Sequence, residues 1–387
     1  MNLSPFSVVD ELLSNEGMDA ALEYLAKQFR DEKKFHPLFD VRLMQTRYRL
    51  GLPLTQSTAI DELSEPMRTQ LEDAYVAHCG EVGALFLQSG QLREAWMYLR
   101  PTGDKAVMAA GLERLTVTPE NLESVVEIAL HEGVSPQLGY RLVLENYGTC
   151  NAITLYDSIA HALPPAQREA LAGMLVRHVH AELTRNVRAD IERREAVPPP
   201  NDHSLPELIS SRPELFAELN YHVDASHLAA TVKSARLLTE PGVLRLAWEL
   251  ADYGSRLDRT YQYPGEGPFA DHYQASLLFI AAQLGQQVEE ALSYFRQAAA
   301  ETSDRGAGAE VLIALLFRLQ RYDEALDAWQ ALLSSGGSSS GFAPHLMELA
   351  RASGRYERVA EIYRERGDVV NYLAARAMAG AGTAAKE

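Results

Sequence analysis

Three segments of this chain recur at an interval of 34 residues, which restricts the fold more than any other feature, because a fixed period of that length belongs to stacked helical units. The segments are 287–295 (Gln-Val-Glu-Glu-Ala-Leu-Ser-Tyr-Phe), 321–329 (Arg-Tyr-Asp-Glu-Ala-Leu-Asp-Ala-Trp) and 355–363 (Arg-Tyr-Glu-Arg-Val-Ala-Glu-Ile-Tyr). In each, a small residue (Ala291, Ala325, Val359) stands four positions before an aromatic one (Phe295, Trp329, Tyr363). Residues four apart share a helix face, so each helix sets a ring beside a close approach to its neighbour.

Elsewhere, apolar residues at i, i+3, i+4 and i+7 alternate with short Gly, Pro, Ser or Asp breaks, and strand-length alternation is scarce, so the chain is predicted to be all-α. A first section, 1–130, holds hairpin-like pieces; in 83–99 one helix ends at Gly90 and the next carries Ala95 and Leu99 at the same small-then-large spacing. A central section, 131–275, contains a long helix over 164–196, set off by Pro164-Pro165 and Pro198-Pro199-Pro200, because proline suits a first turn and cannot continue an interior. Irregular sequence follows to 272, with helical runs only at 226–238 and 241–254. Over 276–380 the spacing predicts three hairpins and a closing helix, Val369–Ala379, capped by Asp368, then a frayed tail at 381–387. Ser334–Gly341 reads as a flexible inter-helix loop.

These C-terminal hundred residues resemble tetratricopeptide repeats. The resemblance lies in the period, in Gln286, Gln320 and Gly354 before each second helix, in Tyr322 and Tyr356, and in the small and aromatic positions above. The family's small residue on the first helix is here Phe279, Ile313 and Met347, and its inter-repeat proline is Ser303, Gly337 and Asn371. The repeats are therefore degenerate, and the fold expected is an α-solenoid of tetratricopeptide-like hairpins with an irregular central insertion. The resemblance implies a superhelix whose concave face binds a peptide or a protein partner.

Charge bears on what such a partner is. The 387 residues carry a formal net charge of −17 and no run of five basic residues, which argues against nucleic acid and against anionic membranes. No stretch of 18 apolar residues and no basic leader followed by an apolar run is visible, and the two cysteines, Cys79 and Cys150, make no disulfide framework; a cytoplasmic location is expected.

Chemistry-bearing residues concentrate where the repeats lapse: eight of the eleven histidines lie between 131 and 272. In Tyr221-His222-Val223-Asp224-Ala225-Ser226-His227, a helix start at Asp224 or Ser226 brings His222, Asp224 and His227 within reach of one divalent ion, Zn or Fe. The same Asp or Ser serves equally as a plain N-cap. A second group, Tyr261, Tyr263, Glu266, Asp271 and His272, places phenols, carboxylates and an imidazole at one rim, with Asp271 orienting His272 as a general base or lending a carboxylate to the metal. Its alternative is a solvated Pro/Gly loop. On the long helix, His178 and Glu182 share a face and form a further metal pair or a buried polar pair, with His180 pointing away. Cys150 is a nucleophile if His131 or His161 approaches, and otherwise a small buried thiol. Gly337–Gly341 matches G-x-S-x-G but lacks the strand-turn-helix setting of a nucleophile elbow, and no nucleotide-binding loop is present. Two functions are open: a non-catalytic repeat scaffold binding a peptide or protein, and a metal-dependent hydrolase or non-haem oxygenase with its pocket in 178–272.

Overall fold

The chain is helical throughout in its computed structural model, which describes residues 4–55, 63–301, 305–334 and 341–384, and no strand occurs among them. Two units divide at Asn146 and Tyr147.

The first unit begins with α1 (Pro5–Asn15), α2 (Met18–Asp31), α3 (Phe35–Arg49), α4 (Glu65–Gln88) and α5 (Leu92–Leu99), each packed on the next in chain order. Gly90, at φ +79°, makes the left-handed turn between α4 and α5 that the sequence places there. Ala95 and Leu99 are buried, and α5 approaches α4 so closely that a Cβ on Gly83 would lie 2.7 Å from Leu99 Cγ. Phe35, Phe39, Phe86 and Tyr98 form an aromatic core with ring centroids 5.0 to 5.5 Å apart. Two shorter helices, α6 (Ala106–Arg114) and α7 (Leu122–Val126), pack on α5, and α8 (Pro136–Ile159) follows. The helix α8 is broken at Gly148, whose φ of +82° no helical residue adopts. Cys79 is buried and Cys150 exposed, which corrects the expectation of a buried thiol at 150.

The second unit is organised on α9 (Pro165–Glu195), within a residue of the helix expected between its proline clusters. Its buried stripe runs Leu171, Leu175, Val179, Leu183, Val187 and Ile191, each four residues after the last. The stripe receives α10 (Leu205–Ser210), α11 (Ala225–Ala235) and α12 (Pro241–Arg256). From there α13 (His272–Gln283), α14 (Val288–Ala300), α15 (Arg305–Arg318), α16 (Tyr322–Ser334), α17 (Leu346–Ser353), α18 (Tyr356–Glu365) and α19 (Val369–Ala384) pack successively along the chain. One buried cluster runs through them and includes Ala291 with Phe295, Ala325 with Trp329 and Val359 with Tyr363. Arg321 pairs with Glu289 at 2.6 Å and Arg355 with Asp323 at 3.0 Å, each partner 32 residues back. The two pairs are themselves 34 residues apart. Asp368 accepts from the Asn371 amide at 3.1 Å and starts α19 as expected. The loop expected over Ser334–Gly341 lies largely outside the described residues. No helix among those described is long and apolar enough to cross a membrane.

Candidate functional site

Asp224 accepts the backbone N–H groups of Ser226 at 2.8 Å and His227 at 3.2 Å, and so caps α11. Its carboxyl is held below the ordinary range by the Ser226 hydroxyl and, behind the opposing effect of burial, by those two amides. His222 points the other way. Its backbone N–H donates to the Tyr253 hydroxyl at 2.9 Å, its Nδ1 lies 2.8 Å from the same oxygen, and its Nε2 lies 3.0 Å from Asp190 Oδ2. One proton arrangement satisfies all three contacts: Tyr253 accepts from the amide and donates to Nδ1, and Nε2–H donates to the carboxylate.

Asp190 is nearly excluded from water, which raises its pKa, yet hydrogen bonds from His222, Arg194 and Arg193 outweigh burial and hold it down at about 2. Burial lowers His222, more than Asp190 raises it, so the imidazole is neutral beside an ionised carboxylate. Carboxylate, imidazole and phenol are aligned as in a relay, but all three are buried and tie α9 to α12 and to the segment entering α11. The expected convergence of His222, Asp224 and His227 on one metal is corrected by this geometry: both ring nitrogens of His222 and the Asp224 carboxylate are committed elsewhere. Among the described residues, no three His, Cys, Asp or Glu side chains are placed to hold a metal ion.

The pair on the long helix is likewise redirected. Glu182 accepts from Thr149 Oγ1 at 3.2 Å, whereas His180, expected to point away, meets Glu249 at 2.7 Å.

The second group is split. Tyr261 packs edge-on against Tyr221, with ring centroids 5.1 Å apart. Asp271 caps α13 by accepting from the Gln274 amide at 3.2 Å and does not orient His272. His272 instead lies between Arg236 and the carbonyl of Ala229: Arg236 Nη2 donates to Nδ1 at 3.1 Å, and Nε2–H donates to the carbonyl at 3.0 Å. A guanidinium cannot accept and a carbonyl cannot donate, so the tautomer is fixed. Burial first, then the charge of Arg236, brings His272 down to about 4, which leaves it neutral and with no free nitrogen for base catalysis.

Tyr263, Glu266 and His272 are nevertheless brought together. They line a cavity of about 220 Å³ whose other wall is α11, contributing Ser226, Ala229, Ala230, Lys233 and Arg236. Sequence reasoning missed the two cations. The available signal was at the end of α11, where neither Lys233 nor Arg236 has a carboxylate three or four residues before it.

Arg236 is held with care. Its guanidinium lies 3.7 Å from the Phe269 ring centroid, and Nε and Nη2 each reach Ser276 Oγ at 3.3 Å. Burial lowers it to about 10, with no acid opposing that shift. Its carbonyl accepts from Arg318 Nη1 at 2.8 Å.

Comparison of the chain with models of known protein families finds no match, and comparison with curated proteins finds none.

Proposed function

We propose that this chain is a tetratricopeptide-like repeat scaffold that binds a protein partner by accepting one of the partner's helices on α19. The observation that carries this reading is that α19 has two apolar faces and uses one. Tyr372 and Ala375 pack into the cluster beneath it. Val370, Leu373, Ala374, Ala377 and Met378, at i, i+3, i+4, i+7 and i+8, are all exposed, Val370 by 79% and Leu373 by 68%. That spacing is the contact stripe of a helix against another helix, and exposed apolar stripes of this kind mark interaction surfaces. Stacked helical units grow by covering such a face, so a helix of a partner would extend the series by one. The recurrence of the Arg321–Glu289 contact as Arg355–Asp323 supports the repeat register.

The concave groove implied by the resemblance has less in its favour. Helix α15, a first helix of the series, is buried from Ala309 to Leu316, Glu310 included, so this stretch presents no open face to a ligand. Arg318 at its end is taken up by the carbonyls of Arg236 and Leu238. Among the described residues, the metal-dependent alternative has no grouping of three His, Cys, Asp or Glu side chains to carry it.

Selection of a random helical-peptide library on the purified chain tests the reading. Amphipathic sequences should be enriched, with basic flanks that complement the net charge of −17. Leu373→Asp should abolish their binding while leaving the fold intact, since Leu373 is exposed. No enrichment, or binding indifferent to Leu373→Asp, would refute the assignment, as would a stable dimer of the chain that Leu373→Asp dissociates.

A further inference from the structure

Many arginines of the second unit have an acid beside them: Arg177 has Glu240, Arg212 has Glu195, Arg256 has Asp252 and Arg296 has Glu324. Acids outnumber bases 53 to 36 in the chain, so an arginine left without one at a cavity wall stands against the prevailing composition. Arg188 and Arg318 also lack one, but their guanidiniums are taken up by backbone carbonyls, whereas among the described residues no ion pair forms at the Arg236 guanidinium and its Nη1 makes no hydrogen bond, although the rest of the group is anchored by Phe269, Ser276 and His272. A desolvated cation without a counter-charge is costly, and an anion entering the cavity would remove the cost.

Lys233 lies one helical turn before Arg236 on the same face of α11 and lines the same cavity, and its ammonium is likewise in no ion pair. His272 accepts from Arg236 Nη2 and so fixes the orientation of the fork. Ser226, already donating to Asp224, closes one end. Tyr263 and Glu266 stand on the loop that forms the opposing wall, and Glu266 makes no ion pair with either cation.

We propose that this cavity is a binding site for a small oxyanion, a phosphate or a carboxylate, held by Arg236 and Lys233 against the Tyr263–Glu266 loop. A volume of about 220 Å³ suits an inorganic anion or a short organic acid and is below the range typical of drug-sized ligands. Arg236 supplies a directed N–H from a guanidinium that is already fixed in place, which lowers the ordering cost of binding. Lys233 supplies a mobile second charge. Glu266 sets an upper limit on the ligand's charge and favours a molecule whose far end donates a hydrogen bond. The site is independent of the helix-accepting face of α19, and failure of either assignment leaves the other standing.

Isothermal titration of the full chain at low ionic strength, with inorganic phosphate in one arm and succinate in the other, tests the site. Saturable one-to-one binding of either anion is expected, and the arm that saturates identifies the oxyanion. Lys233→Gln and Arg236→Gln should each weaken binding about tenfold, the loss expected for one charge-assisted hydrogen bond. Glu266→Gln should tighten it. Arg236 also packs on Phe269, so Arg236→Gln is read only if its melting temperature is retained; Lys233 is exposed, and Lys233→Gln keeps the test decisive. Binding of neither anion, or binding unchanged by Lys233→Gln, would overturn the proposal.

Discussion

His272 and Asp190 show how much a side chain's chemistry depends on what is packed beside it. Both belong to the residue types from which active sites are built, and each is instead fixed in one protonation state. For His272 the direction follows from linkage. The imidazole is neutral down to about 4 in the folded protein, against 6.5 for the unperturbed side chain. Between these values only the unfolded chain takes up the proton, so the stabilising contribution is complete above pH 6.5, declines as the pH falls and is gone below about 4. Arg236 and Lys233 reinforce this shift and Asp271 opposes it. His222, also lowered by burial, acts in the same direction, whereas Asp190, at about 2, loses its contribution only below its unperturbed 3.8, outside this window. From pH 7 to pH 5 the wild type should lose about 2 kcal/mol more stability than His272→Gln, whose amide oxygen still accepts from Arg236. Urea unfolding at the two pH values measures the difference; parallel losses in both proteins would mean that His272 titrates normally.

At the scale of single elements, local signals reach as far as the existence and register of helices. The prolines flanking α9, the caps at Asp224 and Asp368, and the small-then-large spacing in α5, α14, α16 and α18 all follow from neighbouring residues, and each was readable from the sequence. The candidate site was not, because its contacts join distant residues. His222 meets Asp190 across 32 positions and Tyr253 across 31, and His272 meets Arg236 across 36. Residue type and local spacing cannot tell a histidine bound by such partners from one free to bind a metal. Asp224 separates the two roles experimentally. As an N-cap, its replacement by Ala should cost about 1 kcal/mol, and Asp224→Asn should recover most of that, since an amide oxygen accepts the same two N–H bonds. Urea midpoints of the two variants decide it, and equal destabilisation by Ala and Asn would show that the carboxylate's charge, and not its cap, is what α11 needs.

Over the whole second unit, helices from α13 onward pack mainly on their chain neighbours. On the repeat-scaffold reading proposed above, stability accrues by increments, each unit adding its own helices and one interface. The irregular stretch before them is held differently. Arg318 bonds back to the carbonyls of Arg236 and Leu238, and Tyr294 Oη donates to the Pro268 carbonyl at 3.1 Å, so among the described residues the segment with the cavity is hydrogen-bonded to the first two helix pairs and not to the last. The cavity and the face of α19 therefore depend on different parts of the series. Hydrogen–deuterium exchange on a chain ending at Ser334, without α17, α18 and α19, tests this arrangement most directly. Protection should persist in α9, α11, α12 and α13 and weaken progressively through α15 and α16; uniform loss of protection across the second unit would show a single indivisible core and contradict the stacked, chain-order assembly.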